Sequence, residues 1–232
     1  MLKTPSILAI GVLVVACSPQ RPVIDEEMMS FEGAMPTDLS GSWERDYSRG
    51  DDVNAVLADV LYRLSRTSPD ARHARQSGYS GSTAVVPPQH RESAYALARL
   101  AEEITRPQVL TVSQNEHEIS VARKDDYAIF CAFYGGMAKA TESAYGTELC
   151  GWDGDQLVSN LILPDGLQVT HRFTVSQDGR KMRVVTSVSS STAPLPFTLS
   201  RFYMKFAAPK SDFNCIETLS MKRVCSTTDI EL

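Results

Sequence analysis

Two polar residues near the end of the chain, Arg201 and Tyr203, have the types and the spacing of a carboxylate-binding pair. A guanidinium stays charged at any relevant pH and offers a planar fork of N–H donors to a carboxylate. Successive side chains of a β-strand point to opposite faces, so residues two apart share one face. On a strand, the two side chains would therefore meet one ligand from the same side.

The direction in which this pair points is open from the sequence. Phe197 and Leu199 share the parity of Arg201 and favour an arginine that faces the protein interior. Against this, three apolar residues of the opposite parity could fill a core and leave the pair in solvent. These three residues are Phe202, Met204 and Phe206.

His171 is a third candidate for ligand contact, because it falls within an alternating apolar segment. Among apolar neighbours, a histidine is more often a hydrogen-bonded core residue than a ligand contact, and both interpretations stay open. The adjacent Arg172 has the opposite parity, so no part in a site is predicted for it. The apolar residues on the face of His171 are Leu167, Val169, Phe173 and Val175.

The strands that must position these residues follow from the apolar periodicity. From residue 108 onward, nine short segments rich in β-branched and aromatic residues are separated by turn residues such as Gly135-Gly136. With a further strand at 41–47, the prediction is ten strands joined by short connections. An up-and-down barrel fits this order, because closure removes the exposed strand edges. The nine segments are 109–114, 118–124, 127–134, 138–145, 147–152, 156–163, 167–176, 180–189 and 196–206.

Two amphipathic helices are predicted between the first and second strands. Asp51 and Asp52 can cap a helix whose apolar stripe runs over 53–64. A second helix is predicted over 91–105, and Pro107 ends it. The segment 67–90 between them is rich in Gly, Ser and Pro and is predicted to be a loop. The predicted fold class is therefore mainly β with two helices, built as a ten-stranded antiparallel up-and-down barrel.

The N-terminus has the features of an export signal. Met1-Leu2-Lys3 precedes ten consecutive small or apolar residues at 7–16, which cover only about half of a bilayer core and so predict a signal peptide. The segment ends in Val14-Val15-Ala16-Cys17, which resembles the lipobox of bacterial lipoproteins. The resemblance implies cleavage before Cys17 and acylation of that cysteine. Because Ser18 follows in place of an aspartate, it also implies an outer-membrane location facing the periplasm.

These features divide the chain into four parts. Residues 18–37 mix proline, acidic and isolated apolar residues without a period, which predicts a flexible tether. An ordinary secretory signal that ends near a cysteine is the alternative to the lipoprotein signal. The predicted parts are a lipoprotein signal peptide (1–16), a tether beginning at the lipidated cysteine (17–37), a helix-lidded β-barrel (38–206) and a disulfide-bonded C-terminal tail (207–232).

Four cysteines follow Cys17, and an oxidising compartment would pair them. Four cysteines allow three connectivities. The short loop favours Cys215–Cys225, which leaves Cys131–Cys150 by elimination. The second bridge requires a bend if its cysteines lie on strands that are not neighbours, because bridged Cα atoms are at most about 7 Å apart.

Three segments carry a resemblance to a known family. Gly41-Ser42-Trp43 lies on the first strand, residues 106–121 form a hairpin after the helix pair, and Arg201-Phe202-Tyr203 lies on the last strand. This order resembles the intracellular fatty-acid-binding proteins of the lipocalin-like superfamily over roughly residues 38–206. The resemblance implies that Trp43 closes one end of the barrel and that the Arg-x-Tyr holds a carboxylate. The long insert, the disulfides, the tail and the lipid anchor depart from that family, and the chain also resembles uncharacterised lipoproteins of Gram-negative bacteria.

Other kinds of site are not predicted. The formal net charge is −5 and no run of lysines or arginines offsets it, which argues against a nucleic-acid partner. Asp153 and Asp155 flank a turn glycine, but two carboxylates are too few for the roughly six to eight oxygens of a calcium site. The four histidines are scattered, and no zinc, nucleophile-elbow or nucleotide-binding motif is present. We therefore predict no enzyme activity, no metal and no cofactor.

Two functions remain open from the sequence. The first is a membrane-anchored, lipocalin-like binding protein for a small amphipathic or acidic lipid-like ligand, with Arg201, Tyr203 and His171 as its contacts. The second is an envelope structural or interaction lipoprotein, in which the barrel is a scaffold without a ligand. Contacts with a protein partner would then come from the 67–90 insert or from the tail.

Overall fold

The computed structural model describes residues 36–67, 86–123, 126–134, 137–143, 146–208, 214–219 and 222–226. The predicted signal peptide, Cys17 and almost all of the predicted tether lie outside these residues, as does most of the 67–90 insert. None of the helices in the described ranges is long and apolar enough to span a membrane.

The described residues form two helices and thirteen strands, and eleven of the strands build a barrel. The helices, between the first and second strands, are α1 (Val53–Thr67) and α2 (Pro88–Ile104). The barrel strands are β1 (Gly41–Gly50), β2 (Val109–Gln114), β3 (Glu118–Arg123), β4 (Asp126–Tyr134), β5 (Met137–Lys139), β6 (Thr141–Ser143), β7 (Gly146–Asp153), β8 (Gln156–Ile162), β9 (Gln168–Val175), β10 (Lys181–Ser189) and β11 (Phe197–Phe206). Two strands of the tail follow, β12 (Asn214–Thr218) and β13 (Lys222–Ser226).

The barrel strands pair antiparallel in an up-and-down order, and β1 pairs with both β2 and β11. The result is a nearly closed barrel, which confirms the predicted class of a mainly β, antiparallel, up-and-down fold with two helices. The predicted number of ten strands is wrong, because there are eleven. The segment predicted as one strand over 138–145 forms β5 and β6, separated at Ala140. It contains few β-branched or aromatic residues, and such a segment favours strand structure only weakly.

Alternation along each strand places every second side chain in the barrel interior. On β9, Val169, His171 and Phe173 are buried, whereas Thr170 and Arg172 between them are only partly buried. Burial of apolar surface, at about 25 cal/mol per Å², is the main favourable contribution to the stability of such a core. Its apolar members include Leu110, Val112, Ile119, Val121, Ile129, Phe133, Leu157, Met182 and Val184.

Both helices cover one end of the barrel, called the helix end below. α1 begins at Val53 as predicted, and the Asp52 carboxylate accepts a hydrogen bond from the Ala55 N–H at 2.8 Å. α2 begins at Pro88, three residues before the predicted start. Proline suits the first turn of a helix, where its missing N–H costs no hydrogen bond. The buried residues at this end include Val60, Leu64, Leu97 and Ala101 of the helices and Val188, Phe197 and Leu199 of the barrel.

The opposite end, called the closed end below, is filled by the start of the first strand. Trp43 and Leu39 are completely buried there, and the Trp43 Nε1 donates to the Leu39 O at 3.0 Å. The Leu39 N–H donates to the Gln114 side chain at 2.9 Å, and the Thr37 hydroxyl donates to the Asp155 O at 3.0 Å. The chain therefore enters the barrel at the closed end, where Trp43 takes the position expected of a plug.

In the described sheet, the backbone hydrogen bonds between neighbouring barrel strands are interrupted at one place, between the β4–β5 pair and the β6–β7 pair. This gap is called the seam. The Cys131–Cys150 disulfide crosses the seam from β4 to β7, with Cα atoms 5.4 Å apart. This confirms one of the two predicted bridges. β4 and β7 are not paired in the described sheet, but they approach closely enough across the barrel wall to be bridged.

The two strands of the tail form a hairpin that extends the sheet beside β4. β12 pairs with β4 in parallel, with Thr218 opposite Ala128. Within the hairpin, Cys215 lies opposite Cys225. Opposite Cα atoms in an antiparallel pair are about 4.5–5.5 Å apart, which is within the range of a disulfide. The second predicted bridge is compatible with this backbone register and stays a prediction.

Candidate functional site

A small cavity lies inside the barrel, next to the last residue of α2, Ile104. Its volume is about 20 Å³, which is room for about one water molecule. Apolar side chains from β2, β4, β9, β10 and the end of α2 form much of its wall. The polar side chains in the wall are those of Thr105, Arg123, His171, Thr186, Arg201 and Tyr203.

Arg201 faces this cavity from β11 and is only 5% exposed. Its Nη1 donates to the backbone O of Asp51 at 2.5 Å. Its Nε has no hydrogen-bond partner among the described residues, and no carboxylate there forms an ion pair with the guanidinium. The Asp51 carboxylate instead accepts a hydrogen bond from the Ser200 N–H at 2.7 Å. The carboxylates of Asp51 and Glu102 are near enough to raise the pKa of Arg201, but neither forms an ion pair with it among the described residues. An anion in the cavity would therefore stabilise the buried guanidinium further.

The inward direction of Arg201 resolves the alternative that the sequence left open. Phe202, of the opposite parity, lies on the outside of the barrel, where the Arg49 guanidinium is 4.3 Å from the centre of its ring. Met204 is likewise on the outside and is about half exposed. The interior of this strand is formed by Phe197, Leu199, Arg201 and Tyr203.

Charges of both signs act on Arg201. Burial lowers the pKa of Arg201, and the nearby charge of Arg45 lowers it further, whereas Tyr203, Asp51 and Glu102 raise it. The arginine nevertheless stays protonated, since its ordinary pKa is above about 12. Arg45 is tied to the same region, because its Nη1 donates to the backbone O of Thr105 at 3.2 Å. Arg45 therefore adds positive charge beside Arg201, while the carboxylates of Asp51 and Glu102 offset part of it.

Arg123, the last residue of β3, is a second guanidinium in the cavity wall. Its Nε and Nη2 donate to the backbone O of Tyr127 at 2.8 and 2.5 Å, which holds the side chain near the β3–β4 connection. Its positive charge contributes to lowering the pKa of His171. Arg123 therefore adds to the positive potential created by Arg201.

Tyr203 is buried beside Arg201, and its phenol donates to the backbone O of Pro107 at 3.2 Å. Burial raises the pKa of Tyr203, although Arg45 and Arg201 oppose this effect. The phenol is therefore protonated at neutral pH. A ligand that accepts a hydrogen bond from this phenol has to displace the Pro107 carbonyl.

His171 is both a hydrogen-bonded core residue and a part of the cavity wall. The residue is buried, and its Nδ1 lies 2.9 Å from the Thr186 hydroxyl oxygen. Burial, assisted by the charge of Arg123, lowers the pKa of His171 to about 3. The ring is therefore neutral at pH 7 and carries one N–H. In that form it can hydrogen-bond a ligand, but it brings no charge.

One acidic residue, Glu148 on β7, is buried on the inner side of the seam and is 8% exposed. Burial raises the pKa of Glu148 to about 7, while a hydrogen bond with the Phe130 backbone N–H and the charge of Arg123 act in the opposite direction. The carboxyl is therefore about half ionised at pH 7. It does not belong to the cavity wall, but it shares the neighbouring charge of Arg123 with the cavity.

This arrangement can hold one small anionic group. Because the Nη1 of Arg201 is bound to Asp51, the edge formed by Nε and Nη2 is the one that a carboxylate can reach with both oxygens. Arg123 supplies a second positive charge, and the His171–Thr186 pair supplies neutral hydrogen-bonding groups. The remaining wall is largely apolar, which strengthens these polar interactions.

The other residues singled out in the sequence lie elsewhere. Arg172 and Asp153 form an exposed ion pair at 2.7 Å on the outside of the barrel. The backbone O of Asp155 accepts a hydrogen bond from the Thr37 hydroxyl at the closed end. No cluster of three or more potential metal ligands occurs in the part of the chain that the structure describes. Cys17 lies outside the described residues.

Among the polar residues of the interior that sequence reasoning missed are Arg123, Thr186 and Glu148. Their parity was a usable signal, because each shares one face of its strand with buried apolar or cysteine residues. Residues of the same parity are Ile119 and Val121 for Arg123, Val184 and Val188 for Thr186, and Cys150 for Glu148.

No model of a known protein family matches the chain, and no curated protein matches its sequence. The mostly β, nearly closed barrel with two helices is compatible with a lipocalin-like or fatty-acid-binding-protein-like fold. A fold of this kind does not determine a function, so the functional proposal depends on the geometry around Arg201.

Proposed function

We propose that the barrel binds one small acidic ligand whose carboxylate meets Arg201, and that it does so as a periplasm-facing lipoprotein anchored at Cys17. The observation that carries the binding proposal is the buried Arg201 guanidinium, whose Nε faces no hydrogen-bond partner among the described residues. The charge of Arg123 and the neutral ring of His171 support an anion rather than a cation. Tyr203 would join the contact by exchanging its bond to Pro107 for one to the ligand.

The size of the cavity favours a short ligand over a long one. A volume of about 20 Å³ accepts little more than a head group. Toward the closed end, the interior is filled by large buried side chains such as Trp43, Phe173 and Met182. An apolar tail would therefore have to lie toward Ile104 and Pro107, where the cavity wall is formed by the end of α2 and the chain after it.

The test measures thermal stabilisation and binding heat with acetate, butanoate, octanoate and palmitate, and with butylamine as the matched cation. We expect the shorter carboxylates to bind and butylamine not to bind. Arg201→Met removes the charge at similar length and should abolish the effect. Arg183→Gln removes an arginine from the outer face of β10 and should preserve it. Equal responses of the two variants would contradict the proposal, and strong binding of palmitate would show that the core can open for a long chain.

The anchor is tested separately. Expressed in a Gram-negative host, the protein should yield a mature N-terminus at Cys17 with the added mass of acyl chains, and Cys17→Ser should lose both features. A mature N-terminus at any other residue, or a Cys17 without acyl mass, would exclude the lipoprotein.

The filled interior favours one alternative function, that of an envelope interaction or structural lipoprotein with the barrel as a scaffold. A cavity with room for about one water is also what a ligand-free barrel with a few buried polar residues would contain. Cross-linking in cells distinguishes the two functions. A scaffold should lose its cross-linked partner when residues 68–85 or the tail is deleted, and it should keep that partner in Arg201→Met. Absence of any cross-linked partner would count against the scaffold.

A further inference from the structure

The cavity beside Arg201 is the size of a single water molecule or a monatomic ion. Its volume of about 20 Å³ holds about one water. A carboxylic acid, even acetate, has several non-hydrogen atoms and can enter only if part of the wall moves. The wall includes the buried core residues Leu110, Phe173 and Val184 and, toward the helix end, Ile104 and Thr105. Because such cores are closely packed, the space as it stands fits one small ion.

The polar groups of the wall favour a negative ion over a positive one. No acidic side chain belongs to the wall among the described residues. Arg201, in contrast, is 5% exposed, and its Nε has no hydrogen-bond partner there. A buried donor without an acceptor is costly, and the cost is greater when the donor carries a charge. A negative ion removes both costs, because it accepts the hydrogen bond and supplies the opposite charge.

The nearest carboxylates do not take this role. Asp51 and Glu102 act on the Arg201 guanidinium through their charge, but neither forms an ion pair with it among the described residues. The Asp51 carboxylate is engaged by the Ser200 N–H at 2.7 Å. Part of the charge of Arg201 is therefore offset, while its Nε still lacks an acceptor.

Neutral donors in the wall can complete the contacts of such an ion. The His171 Nδ1 lies 2.9 Å from the Thr186 hydroxyl oxygen, and the tautomer of the ring decides which atom donates. If the hydroxyl donates, the ring carries its proton on Nε2 and offers that N–H as a donor. A nearby anion favours this tautomer, because it accepts from an N–H and is repelled by a lone pair. A halide also accepts hydrogen bonds from any direction, so it does not need the planar arrangement that a carboxylate requires.

We propose that the Arg201 cavity binds a halide ion, with chloride as its occupant when no acid is bound, and that an acid binds by displacing this ion. The ion is the counter-charge of the buried guanidinium in the barrel without acid. The inference rests on the proposed function in so far as both place a negative charge beside Arg201, but it names a different class of ligand.

Displacement has a measurable consequence for acid binding. Because one site cannot hold both anions, the apparent Kd of an acid rises in proportion to the chloride concentration once chloride exceeds its own Kd. Chloride at ten times its own Kd should therefore weaken the binding of acetate about tenfold. Acetate titrations at low and high chloride, with sodium sulfate balancing the ionic strength, measure this change. Sulfate serves as the balancing salt because it is too large for the cavity.

The position of the ion is tested with bromide, which replaces chloride and scatters X-rays anomalously. Crystals of the full chain grown in sodium bromide should show an anomalous peak in the cavity, within hydrogen-bonding distance of the Arg201 Nε. A cavity that contains a water molecule without an anomalous signal would overturn the proposal. A bromide seen only at molar concentration, without any effect of millimolar chloride in solution, would be an adventitious ion only and would overturn it equally.

The effect in solution is tested by thermal unfolding in a series of chloride concentrations. We expect the Tm to rise with the logarithm of the chloride concentration above its Kd. Arg201→Met should lose this rise, and Arg183→Gln, on the outer face of β10, should keep it. The same rise in both variants would be a general effect of salt and would contradict the proposal. If Arg201→Met does not fold, the bromide map of the unaltered protein still decides.

Two results separate this inference from the proposed function. If chloride binds and no carboxylate does, the proposed function fails and the halide site stands. If acetate binds with the same Kd at low and high chloride, the proposed function stands and the displacement of a halide is refuted.

Discussion

Two buried residues of the barrel should make opposite contributions to the dependence of stability on pH. The pKa of His171 is lowered to about 3, so folding favours its neutral form. Its stabilising contribution is complete above the ordinary pKa of 6.5 and is lost as the pH falls from there toward 3. The pKa of Glu148 is raised to about 7, so folding favours its protonated form. That contribution is complete below 4.5 and is lost as the pH rises through 7.

Between pH 7 and pH 5, these values give two changes of nearly equal size. With about 1.4 kcal/mol for each pKa unit, His171 lowers the free energy of unfolding by about 2 kcal/mol, and Glu148 raises it by about 2 kcal/mol. The unaltered protein should therefore have nearly the same stability at both pH values. The lowered pKa values of Asp38, Asp46 and Asp178 affect stability mainly below this range, because those carboxylates are already ionised within it.

Single variants should reveal the two hidden changes. Glu148→Gln leaves His171 uncompensated and should lose about 2 kcal/mol of stability on acidification from pH 7 to pH 5. His171→Asn, which can keep a hydrogen bond to Thr186, should gain about 2 kcal/mol over the same range. The double variant should again be insensitive to pH. The measurement is urea unfolding at pH 5, 6 and 7 with the disulfide intact, followed by the fluorescence of the two tryptophans, of which Trp43 is completely buried.

If the stability of both single variants follows that of the unaltered protein, neither residue changes its proton affinity on folding, and the two pKa shifts are refuted. A gain of stability on acidification in Glu148→Gln and a loss in His171→Asn would refute them equally. If the free energy of unfolding depends on pH in Glu148→Gln but not in His171→Asn, the pKa of His171 is lowered as described, whereas the Glu148 carboxyl is hydrated in the folded protein.

Two further predictions concern the backbone of the barrel. Replacement of Cys131 and Cys150 by serine should lower the free energy of unfolding by about 3 kcal/mol, because the bridge closes a loop across a sequence separation of 19. Urea unfolding with and without reductant measures this change. An unchanged urea midpoint would contradict the prediction. Gly146→Ala should cost about 3 kcal/mol, because the added Cβ would meet the Ile162 carbonyl at φ +147°. Gly154→Ala, with a positive φ but open space around it, should cost only about 1 kcal/mol in the same assay, and equal costs would exclude the predicted clash.

Much of the barrel could be predicted from the sequence, because its longer strands alternate regularly and are separated by turn residues. β9 and β10 are examples, with buried residues at every second position. The prediction failed where this local signal is weak. The segment 138–145 has too few β-branched residues to indicate where it breaks, and the strands of the tail pair with a distant strand, which no local pattern can show.

The site was only partly predictable, for a different reason. The residue types and spacing of Arg201 and Tyr203 indicate a binding pair in the sequence. Which face of β11 points into the barrel, however, depends on which of its two apolar faces the rest of the barrel covers. The partly buried Phe202 on the outer face shows that apolar character alone did not decide this. Glu148 and Arg123 are single charged residues on separate strands, and only the assembled barrel brings them to one side of the cavity.

The attachment of Thr37 and Leu39 at the closed end bears on the orientation of the protein at a bilayer. The chain separates Cys17 from Thr37 by 20 residues (37 − 17), which can span at most about 70 Å. The longest strands of the barrel, β1 and β11, have ten residues each, which is about 33 Å. A tether that can be twice as long as the barrel would hold it near the bilayer through an acylated Cys17 without fixing which end faces the lipid. The Arg201 cavity could then meet acids both from solution and at the membrane surface.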